Sequence, residues 1–238
     1  MTDRSLIAIS GDDREHFLQG LVTNDVTHAG PDTLIYAAML TPQGKYLADF
    51  LILSQPEALI LDVASSHAAQ LAQWLAMYKL RAKVEITESP LRVAHGAQGL
   101  ADPRHPALPR RLYGTRSATP DPIETRVTEV IPETGIELTP ETYILEAGFE
   151  RLNGVDFRKG CYVGQEVTAR MKHKTTLKKG LTRLAITGSA PVGTQITCDG
   201  KPAGTLFSQA DGHALAHMRF DRMDGSLNAG SATLAPSP

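Results

Sequence analysis

Cysteine is scarce in this sequence of 238 residues, which contains Cys161 and Cys198 and no CxxC pair. Two thiols cannot form a disulfide framework of the kind that holds small secreted domains together. They also fall short of the four thiolates that usually bind an iron–sulfur cluster, so we do not expect this chain alone to hold a stable cluster, and a transient or shared contact stays open. The low cysteine content is typical of a protein in a reducing compartment.

Long apolar runs and an excess of one charge are missing as well. No apolar stretch approaches the roughly 20 residues that span a bilayer, so no membrane partner is expected. The 24 Lys and Arg residues face 26 Asp and Glu residues, a formal charge of −2, which argues against direct nucleic-acid binding. The first residues lack the basic and apolar regions of a secretory signal, and we therefore expect a cytoplasmic protein.

The composition that remains is ordinary for a folded globular protein, with 42% hydrophobic and 21% charged residues. Residues 33–40 and 46–53 are rich in β-formers and are joined by a Thr-Pro-Gln-Gly turn, which predicts a hairpin. Residues 58–63 predict a third strand. A helix after it is predicted by the helical spacing of Leu71, Trp74, Leu75 and Tyr78.

The second half of the chain divides into three stretches. Residues 103–140 hold seven of the 15 prolines and predict a long surface connection, or a lid over a ligand. Residues 141–152 predict a helix. Short alternating runs separated by Gly and Pro then predict a small β-barrel or sandwich. We therefore expect one unit over residues 1–179 and a second, the barrel, over residues 180–238.

The stretch KGCYVGQE, residues 159–166, is the most informative part of the sequence. Glycines on both sides of Cys161 and Tyr162 permit tight backbone geometry and the close approach of a ligand. Over residues 158–183 eight Lys and Arg residues face one acid, Glu166, a charge that attracts anions and favours the thiolate of Cys161. The alternative, from these residues alone, is a solvated basic loop with a small buried thiol.

This stretch resembles the signature of the YgfZ family of folate-binding proteins, relatives of the glycine-cleavage T-protein and of a mitochondrial iron–sulfur assembly factor. The family pattern KGC(Y/F)xGQE followed by xxAR is complete here and ends in Ala169 and Arg170. Two further stretches agree with the family, FLQG leading to TNDV at residues 17–26 and TPQGK leading to DF at residues 41–50. The resemblance spans nearly the whole chain and is weakest over residues 100–140 and at the C-terminus.

The resemblance implies a T-protein-like α+β fold, in which two interleaved α+β domains surround a central folate channel and a β-barrel follows. It implies tetrahydrofolate or a one-carbon derivative as cofactor, and iron–sulfur enzymes or assembly proteins as partners, among them enzymes that modify tRNA. The leading hypothesis is thus a folate-binding accessory protein that supports the assembly or repair of iron–sulfur enzymes. Cys161 is its candidate reactive thiol, and Lys159 is the second candidate catalytic residue.

The residues expected to contact the folate come from several stretches. Carboxylates and amides suit the pterin, and cations suit the glutamate tail. Asn24 and Asp25 fit a helix cap or turn equally well, and Glu146 also fits the surface of a helix. Asp49 lies in a predicted strand, where an unpaired carboxylate is costly, which favours a bonded role. The candidates are Asn24, Asp25, Asp49, Glu146, Tyr162, Gln165, Glu166 and Arg170, with Lys172 and Lys174 as further cations.

Catalysis by the T-protein route depends on a hairpin motif, GGxxDD, whose first carboxylate is the important one. Laid on this sequence, the motif ends at Ala48 and Asp49, so alanine replaces that carboxylate and argues against aminomethyl transfer. Two alternatives to the leading hypothesis are a one-carbon transferase that works through other groups and a non-catalytic partner whose barrel docks a client protein. No metal site is predicted, because His213 and His217 on a strand would lie roughly 13 Å apart.

Overall fold

The computed structural model describes residues 3–115, 121–174 and 176–237. No helix in these ranges is long and apolar enough to cross a membrane. The first part of the chain contains β1 Arg4–Ser10, α1 Arg14–Gln19, a 3-10 turn Val26–His28, β2 Ile35–Leu40, β3 Tyr46–Gln55, β4 Ala58–Ala64, α2 Ser65–Lys79, β5 Glu85–Glu88, β6 Arg92–Leu100, β7 Arg111–Gly114, α3 Ile123–Thr128 and α4 Gln165–Lys174. The second part contains β8 Lys179–Thr187, β9 Gln195–Cys198, β10 Lys201–Ala210, β11 His213–Arg219, a 3-10 turn Phe220–Arg222, β12 Leu227–Ala229 and β13 Ala232–Pro236.

An antiparallel sheet of five strands, in the order β2-β3-β4-β1-β5, forms the framework of the first part. Alternate residues of each strand point to opposite faces, and both faces are covered. One face buries Phe50 against α1 and α2, where Leu71 is fully buried. The other face buries Leu51 against residues 131–152, including Phe149. The sheet therefore separates two apolar cores.

The predicted hairpin is confirmed, and it contains a bulge that sequence periodicity does not reveal. The register between β2 and β3 shifts at Leu47, which has no partner in β2. A bulge adds one residue to a strand, so residues three apart can face the same side. Tyr46 and Asp49 consequently lie on the face that packs against residues 131–152, while Ala48 lies in the apolar core on the opposite face.

The prediction of a surface connection over residues 103–140 is wrong for residues 111–114 and 123–128, while its residues 116–120 lie outside the described part of the structure. This stretch contains β7, which pairs with β6, and α3, which packs against β10. Arg104, Arg111 and Arg126 are buried within it. Their charges are paired with carboxylates from several chain segments, a compensation that composition cannot reveal.

The prediction of a helix over residues 141–152 is wrong as well, because this stretch forms successive turns. Gly148 adopts a φ of +81°, which ends any right-handed helical repeat. The N–H of Phe149 donates to the carbonyl of Ile144, five residues earlier, instead of four. A helix, α4, begins instead within the signature at Gln165, in the stretch for which a solvated basic loop was the alternative interpretation.

The predicted barrel is confirmed as a closed structure of six strands in the order β10-β11-β8-β13-β12-β9. Its apolar residues point inward and include the fully buried Leu184 and Leu206. Polar anchors join the barrel to the first part of the chain. The Glu137 carboxylate accepts a hydrogen bond from the Ser208 N–H, and the Leu181 N–H donates to the Glu146 carbonyl oxygen.

Candidate functional site

Cys161 is exposed between two anchored neighbours. Tyr162 is buried in the apolar core beside residues 131–152. Lys159 is also buried, and its ammonium donates to three carbonyl oxygens at the end of α1 and just after it, those of Gln19, Val22 and Asn24. A thiol in this position is accessible, yet the backbone on either side of it is fixed.

The ammonium of Lys159 has a positioning role in this geometry. An ammonium has three N–H donors, and the three carbonyls occupy all of them. Burial lowers the pKa of Lys159 to about 8, although the carboxylates of Asp25 and Asp156 act in the opposite direction. Lys159 therefore ties the signature to the end of α1, and no donor is left over for Cys161.

The three stretches that carry the family resemblance converge at this loop. A Cβ on Gly164 would lie 2.6 Å from the carbonyl oxygen of Thr41 in the hairpin turn, and a Cβ on Gly44 would lie 2.8 Å from Val167. The N–H of Val163 donates to the carbonyl of Gly20. Glycine is needed at position 164 because φ is +84° and because the two backbones touch.

The predicted contacts on α4 lie at the surface and line neither of the two cavities described below. Glu166 and Arg170 form an exposed ion pair one helical turn apart, at 2.9 Å. Gln165 is half-buried and its amide donates to the carbonyl of Gly160. Lys172 pairs with Glu150, and the side chain of Lys174 lies outside the described part of the structure.

Asn24 and Asp25 make the local bonds of a turn. The Asn24 amide donates to the carbonyls of Tyr36 and Asn153, both at 2.8 Å. The Asp25 carboxylate accepts from the N–H and hydroxyl of Thr27, and the hydroxyl bond in particular lowers the pKa of Asp25. These contacts support the structural alternative for both residues. Asn24 also lines a cavity of about 400 Å³, the Asn24 cavity, together with His28, Asp156 and Arg158.

Asp49 lines a different cavity of about 420 Å³, the Asp49 cavity. Asp49 is 4% exposed, and its carboxylate accepts hydrogen bonds from three hydroxyls. The donors are Tyr36 at 2.9 Å, Tyr46 at 2.6 Å and Thr134 at 2.5 Å. Burial, reinforced by the charge of Asp49, raises the pKa of both tyrosines, so the phenols stay protonated and donate. Sequence analysis identified Asp49 and missed the three hydroxyls.

Buried arginines form the wall of the Asp49 cavity. Arg111 contacts Asp102 at 2.9 Å, Asp121 at 2.8 Å and Asp62 at 3.3 Å. Arg104 contacts Asp102 and Asp121 as well. Burial opposes ionisation of Asp102, but the two guanidinium groups outweigh it and lower its pKa to about 2. Sequence reasoning missed this network, whose only signal was the Asp and Arg content of residues 102–121.

Glu146 lines neither cavity and instead joins the two parts of the chain. Its carboxylate lies 3.1 Å from the imidazole of His217 and 3.4 Å from the ammonium of Lys179, both on the barrel. Burial raises the pKa of Glu146, but these two partners outweigh it and the net shift is downward. The structure thus does not bring the ten predicted site residues into one cavity.

The hairpin motif presents one carboxylate to the Asp49 cavity. Ala48 is fully buried in the opposite core beside Met39 and Phe50. A carboxylate at position 48 would therefore enter an apolar cluster, where an unpaired charge is costly. Alternation along β3 turns position 49 to the same face as Leu51, toward the cavity, and the bulge at Leu47 brings Tyr46 to that face as well.

Comparison with known proteins defines the class first. Aminomethyltransferase T of the glycine cleavage system from Bartonella henselae superposes with a TM-score of 0.77, over 98% of this chain and 83% of that one. The identity is 11%, so this similarity establishes the fold alone. Residues 178–238 match the family described as CAF17, C-terminal beta-barrel domain. The chain thus has a T-protein-like fold with a C-terminal barrel of this family, as the resemblance implied.

The relatives in sequence define the family. The mitochondrial iron–sulfur cluster assembly factor IBA57 of Mus musculus is 30% identical, over 94% of this chain and 78% of the mouse protein. The mitochondrial IBA57 homolog of Phaeosphaeria nodorum is 32% identical, over 74% of this chain and 52% of the fungal one. This chain belongs to the IBA57 family of iron–sulfur cluster assembly factors. It spans about half the length of the fungal relatives.

The expectation of a cytoplasmic protein is wrong in the light of these relatives, which are mitochondrial proteins. Scarce cysteine indicates a reducing environment and does not distinguish one reducing compartment from another. Membership of the YgfZ family in particular stays a prediction.

Proposed function

We propose that this chain supports the assembly or repair of iron–sulfur enzymes through Cys161, its reactive centre. The observation that carries the proposal is the exposure of Cys161 on a loop held by Lys159 and Tyr162. A single exposed thiol cannot hold a cluster alone, because clusters usually require four thiolate ligands. Cys161 therefore acts in a transient or shared contact with a cluster or sulfur species on a partner protein.

The test compares Cys161→Ala with Cys198→Ala, the matched control on the barrel, in a strain that lacks the protein. Cys161 is exposed, so its replacement should leave the thermal midpoint within about 2 °C of the parent. The Cys161 variant should fail to restore the activity of cluster enzymes, and the Cys198 variant should restore it. Full rescue by Cys161→Ala would remove this thiol from the mechanism and favour a non-catalytic protein whose barrel docks a client.

Tetrahydrofolate, or a one-carbon derivative, is the proposed ligand of the Asp49 cavity. The volume of about 420 Å³ lies within the range of small-molecule sites. Asp49 can accept N–H bonds from a pterin edge, since among the described residues Tyr36 alone donates to its Oδ2. The arginines of the wall suit the carboxylates of a glutamate tail. In the part of the chain that the structure describes, the apolar lining consists of Val93 and Pro132, so polar contacts carry the fit.

Calorimetric titration with tetrahydrofolate and its 5-formyl form tests this ligand. Asp49→Asn removes the charge with little change in shape and should weaken binding at least tenfold, about 1.4 kcal/mol. Glu166→Gln removes a charge from exposed α4 and should leave the affinity unchanged. Equal affinities of the parent and of Asp49→Asn for the folate would show that the folate does not bind in this cavity. No binding to the parent would exclude folate as the ligand.

Enzymes that modify tRNA are proposed among the clients, as the family resemblance implies. The measurement is the content of thiolated nucleosides in tRNA from the deletion strain. It should fall without the protein and recover with the parent chain. An unchanged content would exclude these enzymes as clients.

A second candidate function is favoured by the orientation of Asp49. Ala48 faces an apolar core, so the alanine at this position takes no carboxylate away from the cavity, where Asp49 supplies one. A folate-dependent one-carbon transferase acting through Asp49 is therefore compatible with the geometry. Turnover with a lipoyl, glycine or sarcosine-type donor, abolished by Asp49→Asn, would establish it. Saturable folate binding without turnover would exclude it.

A further inference from the structure

A set of metal-ligating side chains lies beside the signature loop, apart from Cys161 and the Asp49 cavity. One carboxylate oxygen each of Asp25 and Asp156 and one ring nitrogen of His28 all lie within 4.8 Å of one another. Donors around a single transition-metal ion lie about 3 to 4.4 Å apart, given bonds of about 2.0 to 2.2 Å. An ion could therefore engage all three after a contraction of a few tenths of an ångström.

The chain holds these three residues together through its backbone. The His28 N–H donates to the Asp25 carbonyl and closes the 3-10 turn, which places both side chains on one edge. The Asp156 N–H donates to the carbonyl of Thr23, so Asp156 is fixed beside the same turn. The contact between Asp156 and Thr23 bridges more than a hundred residues of sequence. Sequence analysis, which considered only His213 and His217, could not find the set.

The carboxylates are partly oriented by neighbouring donors. Oδ1 of Asp25 accepts from Gln19 and Thr27, and Oδ1 of Asp156 accepts from the N–H of Arg158. Among the described residues the structure shows no hydrogen bond to the second oxygen of either carboxylate. Contacts of this kind orient the ligands of metal sites and fix which oxygen is free.

The set also has an open side. His28 and Asp156 both line the Asn24 cavity, which has a volume of about 400 Å³. Three protein ligands with open positions are typical of metal sites that exchange ligands, whereas structural sites are closed by four. Water or an anionic ligand could complete the coordination from the cavity, where Arg158 supplies a positive charge.

We propose that Asp25, His28 and Asp156 bind a divalent transition-metal ion whose open positions face the Asn24 cavity. Two carboxylates and one imidazole suit Mn²⁺, Fe²⁺, Co²⁺ or Zn²⁺ better than Mg²⁺ or Ca²⁺, which prefer oxygen ligands alone. The competing explanation is that the two aspartates serve only to stabilise the charge of Lys159, whose ammonium they influence. That explanation requires neither His28 nor an ion.

The test uses the full chain without folate or any cluster. Mn²⁺ is titrated and its free ion is followed by electron paramagnetic resonance, and Co²⁺ is followed by its visible absorption. We expect one saturable site per chain, at least tenfold weaker in His28→Gln and in Asp156→Asn. His16→Gln, an exposed histidine on α1, is the matched control and should bind as the parent does.

His28 is exposed, so its variant should fold as the parent does and keep the same thermal midpoint. This keeps the test valid even if Asp156→Asn loosens the loop. Absence of saturable binding, or binding that is equal in the parent and in His28→Gln, would overturn the proposal. Either result would leave the two aspartates as counter-charges of Lys159.

Discussion

Replacement of Arg111 by methionine tests whether the described part of the stretch 100–121, which is residues 100–115 and 121, belongs to the core. Arg111 is 2% exposed, and its guanidinium meets carboxylates from β4 and from both ends of this stretch. Arg111→Met keeps an unbranched apolar side chain and removes the guanidinium with its charge. Three carboxylates, those of Asp62, Asp102 and Asp121, then lose a cation in a buried site.

Loss of one partner from a buried ion pair costs about 3 to 5 kcal/mol. The lower end applies here, because Arg4 still pairs with Asp62 and Arg104 still pairs with Asp102 and Asp121. At about 2 to 4 °C per kcal/mol for a chain of this size, a loss of about 3 kcal/mol lowers the thermal midpoint by roughly 6 to 12 °C.

The assay is urea and thermal unfolding followed by circular dichroism, with Arg170→Met as the control. Arg170 belongs to an exposed pair, and its loss should cost no more than about 0.5 kcal/mol. Arg111→Lys retains the positive charge but lacks the planar guanidinium that binds a carboxylate with two N–H groups. Its loss of stability should lie between those of Arg170→Met and Arg111→Met. Stability of Arg111→Met within about 1 kcal/mol of the parent would refute the view that this network holds the stretch in the core.

Three further predictions concern the same framework. The pKa of Asp102 in the folded protein is lowered to about 2, so ionised Asp102 contributes about 2 kcal/mol to the free energy of unfolding above pH 4. This contribution is lost as the pH falls through 2. Urea midpoints that do not change between pH 6 and pH 2 would contradict this. Gly164→Ala places a Cβ against the carbonyl oxygen of Thr41 at a positive φ, and thermal unfolding should show a loss of stability of about 2 to 3 kcal/mol. The control is Gly160→Ala, which has open space around it and should lose less than about 1 kcal/mol. Lys159→Met leaves three carbonyl oxygens without their donor and should lower the stability by about 3 kcal/mol. Limited proteolysis should then cleave the signature loop faster than in the parent. An unchanged cleavage rate would refute the anchoring role of Lys159.

The hairpin, helix α2 and the barrel strands were predictable because their signals are local. Alternation, helical spacing and turn residues depend on neighbours within a few positions, and the observed elements follow them. The predicted helix over residues 141–152 failed where a single glycine, Gly148, adopts a positive φ within an otherwise helical pattern. The exposed position of Cys161 follows from the anchoring of Lys159 by α1, 140 residues earlier in the chain at Gln19.

The sequence by itself determined that the chain is a cysteine-poor α+β protein with a C-terminal barrel, and its signature indicated the neighbourhood of Cys161. Only the tertiary structure decided which side chains share a site. The bulge in β3 brought Tyr46 to the face of Asp49, and folding brought Asp156 beside Asp25 and His28. The physical reason is that burial and charge pairing depend on contacts between distant segments, which local patterns do not encode.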